Sequence, residues 1–389
     1  MISYKSTIIS TVVKTILILK IIRNYYCTII RYGFQAIFLS TAMKTNNLFS
    51  RITNWELWPF YVLYFPIGFV WIWYCIKARS LWFFSSSNPT ITFGGFEGES
   101  KKEMYDQLPP LSYPKTIYIL HDLSFDEVKK KVLENGFTYP FIVKPDIGMK
   151  GILFRKIDND EQLKKYHEKI PVEYIVQELV DLPVELSVFY YRHPAVMKGT
   201  ISGLIQKELL EVFGDGKSTL WELILQHPRA KFRLEEMKHR HEHRLQRVLP
   251  KDKHFYLSYA GNHNRGARFI DLHHLVDEKL LKVFDDISHY TDKFYYGRYD
   301  IKCVTLDELK EGKNYSILEF NGCGAEPNHI YDAGLSIWQA YREILKHWKV
   351  LYEISKYNHE HGTPYWPYKK GRDFLKQAKR HFRLLEEFD

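Results

Sequence analysis

Short apolar runs are separated by polar stretches from residue 141 onward, and this pattern predicts a series of β-strands. The predicted strands are residues 141–145, 152–154, 174–180, 297–302 and 317–322. From Leu335 to Tyr357 the apolar positions recur at the spacing of one helix face, which predicts a packing helix. Strands and helices are therefore both expected in the body of the protein.

A different pattern precedes the strands, because Leu57–Ile76 contains no charged residue over twenty positions. At 1.5 Å per residue such a helix is about 30 Å long, which matches the hydrocarbon core of a bilayer. Aromatic residues crowd the run, and Lys77 and Arg79 follow it, as is typical where a helix leaves a membrane. We predict a membrane-embedded helix here, with a buried aromatic core helix and an interfacial hairpin as the alternatives.

The net charge is concentrated at one end of the chain. The 389 residues include 55 Lys+Arg and 46 Asp+Glu, a net charge of +9. Residues 1–84 hold nine basic residues and one acidic residue, so this arm carries +8 and the remaining residues carry +1. A nucleic-acid binder normally has its basic excess on the folded body, so nucleic acid is not an expected partner. Four cysteines in a chain of this length exclude a disulfide-stapled scaffold.

These patterns divide the chain into five parts. They are a basic leader at 1–54, the membrane segment with its flank at 55–84, a short region at 85–135, the main domain at 136–358 and a tail at 359–389. Within the leader, Thr7–Ile22 is a second span, an amphipathic surface helix or a targeting segment, unless translation begins at Met43. Ser85–Pro89 predicts a short polar linker.

A glycine-containing loop lies between the first two predicted strands of the main domain. Lys144 ends the first strand, and Gly148, Lys150 and Gly151 follow in the loop. Glycines allow backbone amides to approach phosphates closely, and the lysines supply positive charge. The loop is not a P-loop, because the GxxxxGK[ST] sequence before a helix is missing.

Acidic and amide side chains recur at the ends of the later strands. Glu178 ends one strand and Glu185 follows seven residues later, whereas Arg298 and Asp300 lie two apart on another strand. Glu319 and Asn321 share one face of the last strand, since alternate residues of a strand point the same way. Oxygen ligands that converge from neighbouring strands suit Mg²⁺.

Together these motifs resemble the ATP-grasp superfamily of carboxylate–amine ligases. The resemblance covers about residues 137–350. It combines features of D-alanine–D-alanine ligases with the Gly214–Thr219 insert and the Gly261–Ala267 loop of the ATP-grasp part of cyanophycin synthetases. The resemblance implies an α+β fold in which two α/β subdomains grip ATP, with residues 136–358 as the ATP-grasp domain.

The resemblance also implies roles for individual residues. The implied ATP-binding residues are Lys144, Gly148, Lys150, Gly151, Glu178, Val180, Glu185, Asn264 and Arg265. The implied ligands of Mg²⁺, or of Mn²⁺ in its place, are Asp300, Glu319 and Asn321. Arg298 and Lys144 are the implied catalytic residues. The region before residue 136 departs from the family, because D-alanine–D-alanine ligases have a full N-terminal domain there.

One further stretch is open to a metal interpretation. Lys238–Arg244 places His239 and His243 four residues apart, which is the spacing of a ligand pair on a helix. The stretch is charged on all sides, however, so it predicts a solvated helix face.

The predicted function is that of an ATP-dependent ligase that activates a small-molecule carboxylate as an acyl phosphate and joins it to an amine. The alternatives are a phosphotransferase that forms no amide and a membrane-attached nucleotide-binding module without turnover. The N-terminal segment is expected to contact the membrane. The catalytic domain is expected in the cytoplasm, where ATP and Mg²⁺ are available.

Overall fold

The computed structural model describes residues 53–149, 151–258, 261, 263, 266–291 and 293–389. The leader up to residue 52, with its alternatives for Thr7–Ile22, lies outside the described residues. Lys150, Asn264 and Arg265 also lie outside them.

Helices occur before, between and after the strands. The α-helices are α1 Phe60–Tyr64, α2 Gly68–Ala78, α3 Lys101–Tyr105, α4 Phe125–Glu134, α5 Asp160–Lys169, α6 Leu220–Gln226, α7 Leu234–His241, α8 Glu278–His289, α9 Leu306–Lys310, α10 Ile337–Glu360 and α11 Tyr368–Phe388. The 3-10 turn Phe65–Ile67 joins α1 to α2, and a second 3-10 turn, Asn328–Ile330, precedes α10. The predicted packing helix is confirmed as α10.

The strands of the described residues form two main antiparallel sheets and a separate two-stranded antiparallel sheet. They are β1 Thr116–Ile119, β2 Phe141–Pro145, β3 Arg155–Ile157, β4 Tyr174–Glu178, β5 Val184–Tyr191, β6 Thr200–Glu208, β7 Glu211–Phe213, β8 His254–Tyr256, β9 Arg268–Asp271, β10 Tyr296–Cys303 and β11 Tyr315–Asn321. The small sheet has the order β1-β4-β2-β3 and the large sheet has the order β11-β10-β5-β6-β9. Strands β7 and β8 pair separately. This mixture of helices and antiparallel sheets confirms the predicted α+β class.

One predicted strand is wrong. Residues 152–154 form a turn, and strand β3 begins only at Arg155. Gly151 and Leu153 have φ values of 71° and 54°, which belong to the left-handed region and are incompatible with an extended strand. The apolar side chains of Ile152 and Leu153 are buried all the same, so burial, not strand formation, explains the apolar run.

Alternation along each strand separates a core face from a face that is free for chemistry. In the large sheet, Tyr299 and Ile301 point into a core that α8 covers through Phe284, and Arg298 and Asp300 therefore point to the opposite face. In the small sheet, Phe141 and Val143 pack in a core with α4 and α5. Lys144, at the alternate position of β2, lies on the other face of that sheet.

The polar stretch after the apolar segment is not a linker, contrary to the prediction. Ser85, Ser86 and Asn88 are buried, and Asn88 is 0% exposed. The Asn88 side-chain amide donates to Tyr296 O at 2.9 Å, and its Oδ1 accepts from Tyr296 N at 3.0 Å. Hydrogen bonds of this kind make polar residues suitable for the interior, which composition alone did not indicate.

The apolar segment is helical, as predicted, and it packs against the body along one side. Leu63 and Ile67 are buried beside Ile344 of α10, and Tyr74 stacks on Tyr352 with ring centroids 4.7 Å apart. The other side is exposed and apolar, and its residues are Phe60, Tyr61, Phe65, Phe69, Trp73 and Ile76. Among the described residues, Phe60–Ala78 is the one stretch long and apolar enough to cross a membrane. Membrane embedding itself stays a prediction.

The tail ends as a helix on the small sheet. Phe382 and Leu385 of α11 join the core that contains Phe141 and Val143. Asp389, after the last turn, accepts a hydrogen bond from Leu153 N at 2.9 Å. The C-terminal helix therefore braces the hairpin that carries the glycine loop.

Candidate active site

The open face of the large sheet carries a buried charge cluster around Asp300. Asp300 Oδ1 lies 2.9 Å from Lys207 Nζ and accepts a 2.8 Å hydrogen bond from Ser187 Oγ. Arg298 Nε is 3.4 Å from the same oxygen. Burial alone would raise the pKa of Asp300, but the charges of Lys207 and Arg298 outweigh it and lower that pKa to about 2. Asp300 is therefore anionic at neutral pH.

Strand register brings the other two predicted metal ligands beside Asp300. Glu319 is the partner of Asp300 across β10 and β11, and Asn321 is the partner of Arg298. The buried Nδ2 of Asn321 has no hydrogen bond, so the protein's own bonding does not use that amide nitrogen. Two carboxylates and one amide on adjacent strands fit the oxygen-rich donor set that Mg²⁺ requires. Asp300 already has two cationic partners, so its burial does not by itself require a metal ion.

Arg298 is only partly used by the protein. Its Nη1 donates to Glu326 O at 3.2 Å, and its Nη2 donates to Asp300 Oδ2 at 3.4 Å. The buried Nε has no hydrogen bond. Unused donor capacity on a partly buried guanidinium suits an additional anionic or carbonyl oxygen.

Lys144 lies on the small sheet, and charges from other parts of the fold act on its pKa. Burial and the charge of Lys101 lower that pKa to about 8, whereas the charge of Glu319 acts in the opposite direction. Lys101 is fixed nearby, because its Nζ donates to Asp146 O at 3.1 Å.

The glycine loop is held by its flanks. Asp146 Oδ1 accepts from Lys102 N at 3.1 Å, and His381 Nε2 is 2.8 Å from Ile147 O. Gly151 has a φ of 71° and no atom within 4 Å of the position a Cβ would take, so its backbone borders open space. At Gly148 a Cβ would lie 3.3 Å from Pro145 Cβ. Gly148 therefore packs on Pro145 and Gly151 has open space beside its backbone, and the phosphate-binding role of both glycines stays a prediction.

Three of the predicted ATP-binding residues lie where the chain passes from the small sheet to the large sheet. Glu178 ends β4 with an exposed side chain, and Val180 O accepts from Lys302 Nζ at 3.2 Å. Glu185 Oε1 lies 3.5 Å from Lys207 Nζ. The connection between β4 and β5 is therefore held against lysines of the large sheet.

Known proteins that are similar to this chain are found among solved structures. No family model and no curated protein matches the chain. Among solved structures it is similar to a bifunctional glutathione synthetase from Pasteurella multocida, at 16% identity and a TM-score of 0.34, over 63% of this chain and 35% of that one. It is also similar to a D-alanine–D-alanine ligase from Bacillus anthracis, at 15% identity and a TM-score of 0.36, over 68% of this chain and 69% of that one. It is similar as well to a VanG D-Ala:D-Ser ligase from Enterococcus faecalis, at 13% identity and a TM-score of 0.36, over 71% of this chain and 63% of that one.

The chain is thus similar, at 13–16% identity, to solved synthetases and ligases. One of them is a D-alanine–D-alanine ligase, a class of protein that the motifs also resemble. The chain spans 35% of the glutathione synthetase and 63% of the VanG ligase, which is less than two thirds of either protein.

Several residues near the predicted site residues were not predicted. Lys207 contacts both Asp300 and Glu185, and its side chain is 5% exposed. Glu99 has a buried Oε2 without a hydrogen bond. Burial, with a smaller contribution from the negative charge of Glu319, raises the pKa of Glu99 to about 7. Lys207 lies in an ordinary alternating strand and Glu99 lies in an irregular segment. Neither residue belongs to a sequence motif, so only the folded structure shows that they lie near the site.

The predicted insert and the region after the predicted loop make local contacts. Arg268, directly after the Gly261–Ala267 loop, is exposed and pairs with Glu208 at 3.3 Å. In the Gly214–Thr219 insert, Asp215 accepts hydrogen bonds from Lys217 N and Ser218 N, and the Thr219 side chain caps α6 by accepting from Glu222 N. Gly261 lies at the cleft, since a Cβ there would be 2.4 Å from Glu185 Oε1.

Proposed function

We propose that this chain is an ATP-dependent carboxylate–amine ligase whose active site is the cleft between the two sheets. The observation that carries the proposal is the strand register that places Glu319 opposite Asp300 and Asn321 opposite Arg298 on one face of the large sheet. Phosphoryl transfer from ATP requires a lysine that neutralises the phosphates and a cluster of oxygen ligands for the metal ion. Lys144 and the cluster around Asp300 would supply these two parts.

The nucleotide is placed by the residues at the two ends of the cleft. The backbone at Glu178 and Val180 borders the adenine, and Glu185 accepts hydrogen bonds from the ribose hydroxyls. Lys144 and the backbone near Gly148 and Gly151 hold the β- and γ-phosphates; the predicted contributions of Lys150, Asn264 and Arg265 remain part of the proposal. Asp300, Glu319 and Asn321 would hold Mg²⁺, which supplies charge neutralisation on the triphosphate when bound.

The reaction then needs positioning and charge stabilisation, not a protein nucleophile. A substrate carboxylate oxygen attacks the γ-phosphorus, the bond to the β-phosphate oxygen breaks, and ADP leaves. An amine nitrogen attacks the carbonyl carbon of the resulting acyl phosphate, phosphate leaves, and the amine gives up a proton. Arg298 has an unbonded Nε, and we assign this guanidinium to the carbonyl oxygen on which charge develops in the second step.

Substrate-dependent ADP release tests the proposal. Purified chain with Mg-ATP is screened against amino acids, peptides and polyamines, and acyl phosphate is trapped with hydroxylamine. Glu319→Gln is expected to lower turnover at least a hundredfold, because it removes one anionic ligand of the cation. Glu311→Gln is the matched control, since Glu311 is exposed and forms a surface ion pair with Lys313 at 3.0 Å.

The product identifies the reaction class. Amide and ADP in equal amounts support the ligase, whereas a stable phosphorylated product without amide identifies a phosphotransferase. Near-normal turnover of Glu319→Gln, with a substrate that wild type uses, would contradict the metal assignment.

We also propose that the apolar side of α1 and α2 docks on the cytoplasmic surface of a membrane. Phe69 and Trp73 are 64% and 56% exposed, which is unusual for aromatic residues. Lys77 and Arg79 follow on the same segment and are exposed, so they suit anionic headgroups. The other side of the segment is occupied by α10, which favours lying on the membrane over crossing it as a lone helix.

A further inference from the structure

A second cluster of ligand-type side chains lies under the first half of α10. Glu343 and His347 are four residues apart on this helix and therefore share a face. His329, from the 3-10 turn Asn328–Ile330, meets them, and the ligand atoms of all three residues lie within 4.8 Å of one another. The cluster packs on Phe189 of the large sheet, whose ring centroid is 4.4 Å from that of His347.

The distances within the cluster are too long for good hydrogen bonds and suitable for a shared ion. Glu343 Oε1 lies 3.4 Å from His347 Nε2 and 3.5 Å from His329 Nε2. Hydrogen bonds between such groups usually measure about 2.7–3.2 Å. Nitrogen and oxygen ligands at about 2.0–2.1 Å from a tetrahedral ion are about 3.3–3.4 Å from each other. The observed spacing is therefore close to the edge of a coordination tetrahedron.

The imidazole of His347 is buried with one nitrogen unused. Its residue is 0% exposed, and its Nε2 makes no hydrogen bond. Its Nδ1 lies 3.3 Å from the hydroxyl of Tyr296, which is the second contact that a metal-bound histidine normally makes.

The position of His329 is also built into the fold. A Cβ at position 203 would lie 2.1 Å from His329 Nδ1, so the imidazole ring lies directly on Gly203 of β6. A larger residue at that position would displace the ring from Glu343.

A neighbouring cluster, which contains one histidine and two carboxylates, shows the contrast. Glu56, His263 and Asp332 also come together, but Asp332 Oδ1 is 2.5 Å from the guanidinium of Arg229. Asp332 Oδ2 accepts from Phe269 N at 2.8 Å. That carboxylate already has a cation and a hydrogen bond, so the cluster is a closed ion-pair network.

We propose that His329, Glu343 and His347 bind a divalent transition-metal ion, for which Zn²⁺ is the probe. Two imidazoles and one carboxylate favour such an ion over Mg²⁺, which prefers oxygen ligands. Lys346 Nζ lies 3.2 Å from Glu343 Oε1. Its side chain is 52% exposed, so it can turn into solvent when the ion binds.

The ion would fix the loop that leads to the candidate active site. His329 follows Asn328, whose Nδ2 donates to Ser187 Oγ at 3.1 Å. Ser187 in turn donates to Asp300. Binding would thus attach this turn to α10 close to the proposed Mg²⁺ ligands, although the metal proposal itself does not depend on ligase activity.

Zinc binding to the purified full-length chain in detergent tests the proposal without ATP or substrate. After removal of metal with a chelator, Zn²⁺ is titrated against a chromophoric competitor. Glu343→Gln and His347→Gln are each expected to weaken the tightest site at least tenfold. His239→Gln is the matched control, because His239 is exposed on α7.

Co²⁺ provides an independent readout. The wild-type chain and the His239→Gln control should give visible absorption bands of a four-coordinate site, and Glu343→Gln should lose them. If His347→Gln fails to fold, as judged by circular dichroism, Glu343→Gln decides the result because its side chain is partly exposed. Equal zinc affinity in wild type and Glu343→Gln would overturn the proposal.

Discussion

The chemistry of Lys144 depends on where the fold places a single ammonium group. Burial and the nearby charge of Lys101 lower its pKa to about 8, whereas an exposed lysine would stay charged well above that value. ATP adds negative charge beside the ammonium group, so binding favours the protonated form. Affinity for Mg-ATP is therefore expected to be constant below about pH 8 and to fall as the pH rises through that value.

Calorimetry between pH 7 and 9.5 checks this prediction. Wild type should lose up to about tenfold in affinity for each pH unit above 8, since one proton must be taken up on binding. Lys144→Arg keeps its charge throughout this range, and its affinity should change little. The same slope in both proteins would show that another group titrates.

At the scale of elements, α11 is the part of the tail that stabilises the glycine-loop hairpin. Leu385 is 0% exposed and lies in the core beneath that hairpin. Leu385→Ala should lower the free energy of unfolding by about 2–5 kcal/mol, because it removes buried methyl groups and leaves a cavity. The KM for ATP should also rise, since α11 contacts the loop backbone through His381.

Urea unfolding and steady-state kinetics measure the two effects. Glu387→Ala on the same helix is the control, because Glu387 is exposed and its removal should change stability by less than about 0.5 kcal/mol. An unchanged KM in a destabilised Leu385→Ala protein would mean that α11 supports the core without influencing the loop.

At the scale of the whole molecule, the exposed aromatic side of α1 and α2 is the surface that we propose to dock on a membrane. Flotation with vesicles of phosphatidylcholine and phosphatidylserine should capture the wild-type chain. The double variant Phe69→Ser, Trp73→Ser should bind at least tenfold more weakly, since each aromatic side chain contributes about 1.5–3 kcal/mol when buried.

Leu111→Ser is the control for this experiment, because Leu111 is 96% exposed and lies elsewhere on the surface. High salt should also weaken binding if Lys77 and Arg79 meet anionic headgroups. Flotation of the double variant at the wild-type level would place membrane contact in another part of the chain.

The sequence by itself determined the local features of this protein. Alternation and glycine positions are short-range properties, so they located β2, β4, β10 and β11, the long helix α10 and the residues Lys144, Asp300 and Glu319. The prediction of a strand at residues 152–154 was wrong, because apolar residues that are buried in a turn with left-handed backbone give the same run of apolar positions as a strand.

Only the tertiary structure decided which distant residues these local elements contact. Strand pairing brings Lys207 to Asp300, although the two residues are far apart in sequence and neither has a local signal for the other. Packing on α10 left one side of the apolar segment exposed, a division that a uniformly apolar run cannot specify. Asn88 was assigned to a linker, yet its hydrogen bonds to β10 make it part of the core. Contacts between distant residues depend on the path of the whole chain, and no short stretch of sequence contains that path.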